Sequence, residues 1–301
     1  MSVWKDIKWQ YVYGSNLIRL ILINIAIFLV INLITLPFML FAKQTPFDIV
    51  SFLSLYASPH NFIRHPWGIF TYMFVQDGFW HILWNMLALY WFGQILQDLI
   101  GKTKILPLYI YGGIFGGLMY VLAYNIFPAF SETVYIANCI GASASVMAIA
   151  FAAATIAPDY ELRFVIFGNI KIKWIVFAYL LFDLIDIQHG NAGGHISHIG
   201  GALFGYLYIY FLRKGTDLAR PFYTFTDYIS NLFSKEKNLK VEYKKEYAYT
   251  AKKQTTHTAK NNETINKQAR LDEILDKINR SSYDSLTKEE KEFLFKISQE
   301  E

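Results

Sequence analysis

Apolar residues dominate this chain up to about Leu212, and beyond Arg213 they give way to Lys, Glu, Asn and Thr. In the first region they form long runs, and a run of about 18 or more is long enough to cross a bilayer as a helix. About six runs qualify: Leu17–Ala42, Phe70–Leu96, Ile105–Phe127, Val134–Ala157, Ile172–Ile187 and His195–Leu212, of which the fifth is the shortest. The pattern predicts an all-α, polytopic membrane protein with a six-transmembrane-helix bundle over residues 1–213. Residues 214–266 read as a flexible polar linker, since Lys252–Glu263 lacks apolar periodicity. Residues 267–301 read as a small cytoplasmic helical hairpin. There Leu271, Ile274, Leu275 and Ile278 follow helical spacing, Ser281–Asp284 makes a break, and Ser285 is placed to cap a second helix.

Charge sets the expected orientation. Lys5, Lys8 and Arg19 flank the first span, Lys102 and Lys104 separate spans two and three, and Arg163, Lys171 and Lys173 separate four and five. Arg213, Lys214 and Arg220 follow the sixth, while the opposite loops hold only Lys43 and Arg64. The positive-inside rule then puts both termini in the cytoplasm of a cell (inner) membrane protein. No small-residue cleavage site follows the first span, which reads as a retained helix. The first outer loop, about Lys43 to Pro66, with Trp67, Trp80 and several Phe and Tyr around it, reads as an interfacial cap. A net charge of +4 gives no reason to expect a nucleic-acid partner. The single cysteine, Cys139, excludes an intrachain disulfide and reads as a small apolar filler rather than a nucleophile.

Small residues mark the expected helix contacts. Gly112, Gly113, Gly116 and Gly117 make two overlapping Gly-x-x-x-Gly pairs in span three, and span four is rich in alanine from Ala144 to Ala154. In span six, His198, Gly201 and Gly205 share a face, as do Ser143, Met147, Ala150 and Ala154 in span four. Setting the two stripes together puts His198 beside Ser143, each near the start of its helix. Polar ionisable groups are costly at membrane depth, so such a pair is a functional-site hypothesis. A serine beside a general base is the minimum for acyl transfer. His81 and Asn85, four apart on span two, and the backbone N–H groups at Ser143 are candidate oxyanion donors. Ser145 reads as interhelical glue, and His189 and His195 as interfacial. Asp183 and Asp186, late in span five, could orient a histidine or line a water route, but read first as helix-end residues, which favours a Ser–His dyad.

These residues resemble the motifs of the rhomboid family of intramembrane serine proteases, over about residues 60 to 212. The family's His-x-x-x-Asn matches His81 to Asn85, its Gly-x-Ser-x matches Gly141 to Ala144, and its His with Gly at +3 and +7 matches His198, Gly201 and Gly205. The resemblance implies a six-helix core, Ser143 as nucleophile, His198 as base, and an oxyanion hole of His81, Asn85 and the Ser143 backbone. It implies cleavage of transmembrane protein substrates near the extracytoplasmic face of the lipid bilayer, with no metal or organic cofactor. The chain departs from the family in three places. Ala144 stands where Gly usually follows the serine, Met147 where a Tyr often stacks on the histidine, and Trp67-Gly68 where Trp-Arg is common. Two other readings compete: a catalytically weak or inactive scaffold that binds membrane helices, and a metal-dependent enzyme or transporter using His189, His195, His198 and an Asp. The absence of a His-Glu-x-x-His motif counts against a zinc protease. The substrate, the oligomeric state and the role of the C-terminal segment are not encoded in any recognisable motif.

Overall fold

The computed structural model describes residues 3–41, 47–164, 168–188, 190–233, 270–278 and 283–297. They fall into two units, Met1–Glu236 and Lys237–Glu301. Lys43, His189 and the stretch 234–269 lie outside the described residues.

The first unit is mostly helical. After α1 (Val3–Tyr13) come α2 (Asn16–Leu40), three short helices α3 (Ile49–Leu53), α4 (Pro59–Arg64) and α5 (Gly68–Thr71), then α6 (Phe79–Ile100) and α7 (Ile105–Ile126). They are followed by α8 (Ser143–Ile156), α9 (Ile172–Asp186), α10 (Ala192–Arg213) and α11 (Arg220–Phe233). The all-α expectation needs a small correction, because two antiparallel two-stranded sheets are present. One pairs β1 (Leu55–Tyr56) with β2 (Asn138–Cys139), and the other pairs β3 (Glu161–Phe164) with β4 (Gly168–Lys171).

Helices α2 and α6 to α10 occupy the six stretches read as spans. Of these, α2 and α7 with its preceding turn are long and apolar enough by themselves to cross a membrane, among the described residues. The others fall short for physical reasons. α6 and α10 carry the polar and glycine positions His81, Asn85, Gln97, Ser197, His198 and Gly200, which lower their apolar content. α8 has 14 residues and extends about 21 Å. It begins at Ser143, not near Val134, because residues ahead of it form β2 and then Gly141, whose φ of +129° breaks any helix. The second expected span is likewise split, by α5, a 3₁₀ turn at Tyr72–Phe74 and a break before α6.

α8 is the centre of the unit. Nine of its residues are buried, among them Ala144, Ser145, Val146, Met147 and Ala148. Small side chains let two neighbours approach it closely. A Cβ on Gly201 or Gly205 of α10 would lie 2.1 Å from the carbonyl oxygen of Ala144 or Ala148. A Cβ on Gly112 of α7 would lie 2.3 Å from the Ala148 Cβ. At the far end, Arg213 Nη2 donates to the Thr155 carbonyl at 2.8 Å, satisfying an acceptor that the end of α8 leaves open.

The described residues between α2 and α6 are tied down rather than draped. β1 pairs with β2, Asn125 Nδ2 donates to the Ala57 carbonyl at 2.8 Å, and Trp67 Nε1 donates to the Phe52 carbonyl at 2.7 Å. Part of the expected linker is helical. Lys104 pairs with Asp217 and the Tyr223 hydroxyl donates to the Thr103 carbonyl, which anchors the start of α11 to the α6–α7 turn. In the second unit, α12 (residues 270–278) and α13 (Lys288–Ile297) are joined by a Lys277–Glu290 ion pair at 2.8 Å. Thr287, not Ser285, caps α13: Thr287 Oγ1 accepts from Glu290 N at 3.3 Å, and Glu290 Oε2 accepts from Thr287 N at 2.7 Å. This reciprocal capping box satisfies two helix-end donors, and Ser285 ends the preceding 3₁₀ turn.

The glycine contacts make a direct prediction. Gly205→Val is expected to lower stability by about 1–3 kcal/mol through overpacking. Gly78→Ala, where a Cβ meets nothing within 4 Å, is expected to be close to neutral. Thermal unfolding of both variants in detergent checks the contrast.

Candidate active site

The sequence places Ser143 first in α8 because Gly141 turns the chain there. The backbone N–H of Gly141 donates to the Tyr72 carbonyl at 2.9 Å. A Cβ at Gly141 would lie 2.9 Å from His81 Cε1, 3.1 Å from His81 Nε2 and 3.4 Å from Ser143 Oγ. Glycine is therefore required twice, for its φ and for the space that His81 and the serine share. Ser143 is half-buried and its hydroxyl forms no hydrogen bond among the described residues.

α10 runs parallel to α8 in one register. Gly201 meets Ala144 and Gly205 meets Ala148, and Arg213 meets Ile156, a separation of 57 residues. Extended back by one turn, the same offset sets His198 level with Gly141, two residues before Ser143. His198 is not at the start of its helix, as expected, but two turns in. α10 begins earlier, at Ala192, behind Asn191, whose side chain accepts from Gly194 N at 3.2 Å. No hydrogen bond joins His198 to Ser143 in this structure; the helix register brings them to one place.

Hydrogen-bond partners fix the two ring tautomers. The Asp77 backbone N–H can only donate, and it meets His81 Nδ1 at 3.2 Å, so the neutral ring carries its proton on Nε2, the edge facing Gly141. His198 Nδ1 lies 2.9 Å from Asp183 Oδ1. An ionised carboxylate only accepts, so His198 holds its proton on Nδ1 and leaves Nε2 as an acceptor. One ring is thus a donor through Nε2, toward Gly141, and the other an acceptor through Nε2.

Asp183 is not the helix-end residue expected. Its side chain is 2% exposed, and its Oδ1 also accepts from His195 Nδ1 at 2.7 Å, so His195 is part of the cluster too. Asp183, His195 and His198 each offer a ligand atom within 4.8 Å of the others. For a metal bound at about 2.1 Å, tetrahedral ligands stand about 3.4 Å apart. The two contacts to Oδ1 are shorter than that and match hydrogen bonds.

Asn85 is 6% exposed and belongs to a buried polar chain that the sequence reading missed. Its Nδ2 donates to Gln76 Oε1 at 3.0 Å, Gln76 Nε2 donates to Asn24 Oδ1 at 3.1 Å, and Asn24 Nδ2 meets the Tyr109 hydroxyl at 3.2 Å. Gln76 and Asn24 give no motif; their presence inside apolar runs is the only signal. Asn85 has a second N–H that this chain does not use. Cys139 is buried beside Leu55 in β2, and burial pushes its thiol up to about 12. It stays protonated at neutral pH and is no rival nucleophile. Ser145 is fully buried and faces Met73 Sδ at 3.8 Å, consistent with packing.

A family model for the Rhomboid domain matches residues 64–215, and one described as a family of unknown function matches residues 255–300. Among curated proteins, the chain is 30% identical over 173 residues to "Inactive rhomboid-related protein 2" of Caenorhabditis elegans, covering 56% of this chain and 46% of that one. It is 24% identical over 155 residues to "Rhomboid protein 1, mitochondrial" of Saccharomyces cerevisiae, covering 49% and 42%. It is 29% identical over 133 residues to "Presenilin-associated rhomboid-like protein A, mitochondrial" of Danio rerio, covering 43% and 33%. The chain spans less than half the length of each of these relatives.

Gly141→Ala is expected to cost about 1–3 kcal/mol, since a non-glycine residue at that φ is strained and its methyl strikes the His81 ring. Thermal unfolding against wild type reads the loss; an unchanged midpoint contradicts the tight Gly141–His81 contact.

Proposed function

The chain belongs to the rhomboid family, and on that premise we propose that it is an intramembrane serine endopeptidase. The single observation that carries the reading is the convergence at Gly141 of the Ser143 hydroxyl and the His81 Nε2 edge, with His198 level with them. Ser143 Oγ attacks a substrate carbonyl while His198 Nε2 takes its proton. The tetrahedral oxyanion is met by His81 Nε2–H, the second Asn85 N–H and the backbone N–H of Ser143 at the start of α8. His198 then returns its proton to the leaving amine, and water repeats the sequence to release the acyl group. No step calls for a metal or organic cofactor.

The substrates in this proposal are transmembrane proteins. α2 and α6 to α10 form the six-span bundle in the cell membrane, with both termini cytoplasmic and cleavage near the outer face. The short α8 supports this, since a helix of about 21 Å starting at Ser143 sets the serine below the surface rather than at it. Residues 1–213 are then the catalytic domain, and the segment 267–301 a cytoplasmic helical appendage after a linker.

One observation favours a second reading. A relative matched over 56% of this chain is named as inactive, so a scaffold that binds membrane helices without cutting them is the alternative.

Labelling of detergent-purified protein by a serine-reactive fluorophosphonate separates the two. Wild type is expected to label, and Ser143→Ala and His198→Ala to lose labelling and cleavage of a transmembrane reporter. His81→Ala and Asn85→Ala are expected to lose roughly 10²–10³-fold in turnover. Folded wild type that neither labels nor cleaves sinks the protease reading and leaves the scaffold.

A further inference from the structure

Helix α9 presents two side chains to His198 from one face. Tyr179 and Asp183 are four residues apart and so lie one above the other. The Tyr179 ring sits 6.0 Å from the His198 ring, tilted by 48°. Asp183 Oδ1 meets His198 Nδ1 at 2.9 Å and His195 Nδ1 at 2.7 Å. Asp183 Oδ2 is buried with no partner among the described residues. Burying a carboxylate with one oxygen unpartnered is costly, so its place at 2% exposure beside His198 calls for a role.

We propose that Asp183 is a positioning residue that turns the Ser143–His198 pair into a Ser–His–Asp triad, with Tyr179 and His195 holding its geometry. The proposal rests on the serine-protease reading and deepens it. The proton transfers balance without Asp183 changing state. His198 Nε2 takes the Ser143 proton, Nδ1–H stays on the ring, and the carboxylate steadies the imidazolium that results. Asp183 does two further things. It excludes the tautomer with the proton on Nε2, which cannot accept from serine. It also fixes the ring plane, with Tyr179 packed against the ring. His195 uses the same oxygen, so it orients the carboxylate rather than competing for a separate site. The titratable groups around His198 are Asp183 and Tyr179 from α9, His195 from α10 and His81 from α6.

Asp183→Asn keeps the shape but offers an N–H to His198 Nδ1, which forces the ring proton onto Nε2. Turnover is expected to fall on the order of 10²–10⁴-fold with KM little changed. Asp183→Glu is expected to recover part of the rate. A purely structural aspartate predicts instead a lower melting temperature with kcat and KM of the folded protein both little changed. ¹⁵N NMR of histidine-labelled wild type, with His198→Ala for assignment, reads the tautomer whether or not the Asp183 variants fold. A neutral His198 protonated on Nδ1 is expected, and one protonated on Nε2 overturns the triad. Folded Asp183→Asn with wild-type turnover overturns it too, while inactive Ser143→Ala beside it leaves the serine reading standing. Full activity in Ser143→Ala overturns both.

Discussion

α10 lies against α8 with glycine backbone on carbonyl oxygen, and nearly everything else about the site follows from that contact. In lipid there is little hydrophobic gain in bringing two helices together, so association depends on how closely backbones approach. Gly201 and Gly205 allow the approach, and Ala144 and Ala148 receive it. The contact also sets register, because a glycine seated on a carbonyl cannot slide by a residue without driving side chains into the gap. Arg213 closes the far end on the Thr155 and Ile156 carbonyls in the same register. A parallel pair locked at three points along its length sets His198 at the end of the pair where the turn carries Ser143.

The turn itself is held from the other side. Tyr72 accepts the Gly141 N–H and its hydroxyl donates to the Gly113 carbonyl at 2.6 Å, so the loop before α8 is tied to α7. The Asn85–Gln76–Asn24–Tyr109 chain links α6, the loop before it, α2 and α7 through groups that would be costly if unpaired. Rigid support of this kind gives both rings their tautomers. Asp77 can only donate to His81, and Asp183 can only accept from His198. Opposite roles for the same side chain are written by a backbone amide in one case and a carboxylate in the other.

Local spacing was legible in the sequence and cross-chain pairing was not. His81 and Asn85 share a face because they are four apart, Gly201 and Gly205 for the same reason, and the composition break near Arg213 does fall at the end of α10. Asp183 was misread because it lies 15 residues from His198, across a turn whose path no periodicity reveals. Gln76 and Asn24 were invisible since a lone amide in an apolar run has many explanations until its partner is known. The start of α8 was placed too early because residues 134–142 are apolar enough to extend a helix. A sheet pairing with Leu55 and a positive φ at Gly141 overrule them. Helix α11 was hidden inside a polar stretch, and its anchors, Thr103 and Lys104, belong to a turn over a hundred residues earlier.

The three departures from the family pattern gain a physical meaning from the packing. The extra methyl of Ala144 does not enter the space around Ser143: it faces Gly116 of α7, where a Cβ would lie 2.7 Å from it, so a second glycine makes its room. Gly68 cannot be an arginine here, because its Cα sits so near the Ser54 carbonyl that any Cβ would be 2.3 Å from the oxygen. Met147 is fully buried in the core of α8, and the aromatic ring near His198 comes instead from Tyr179 on α9. Each substitution that looks like a loss in one helix is matched by a feature of its neighbour. The ring and the carboxylate beside His198 are both drawn from α9, so in the proposed site the histidine is supported by α9 rather than by the serine's helix. Separation of α9 from α10 would then strip the histidine of its orienting oxygen and its ring contact together, which makes the α9–α10 seam the place where this site is most easily disassembled.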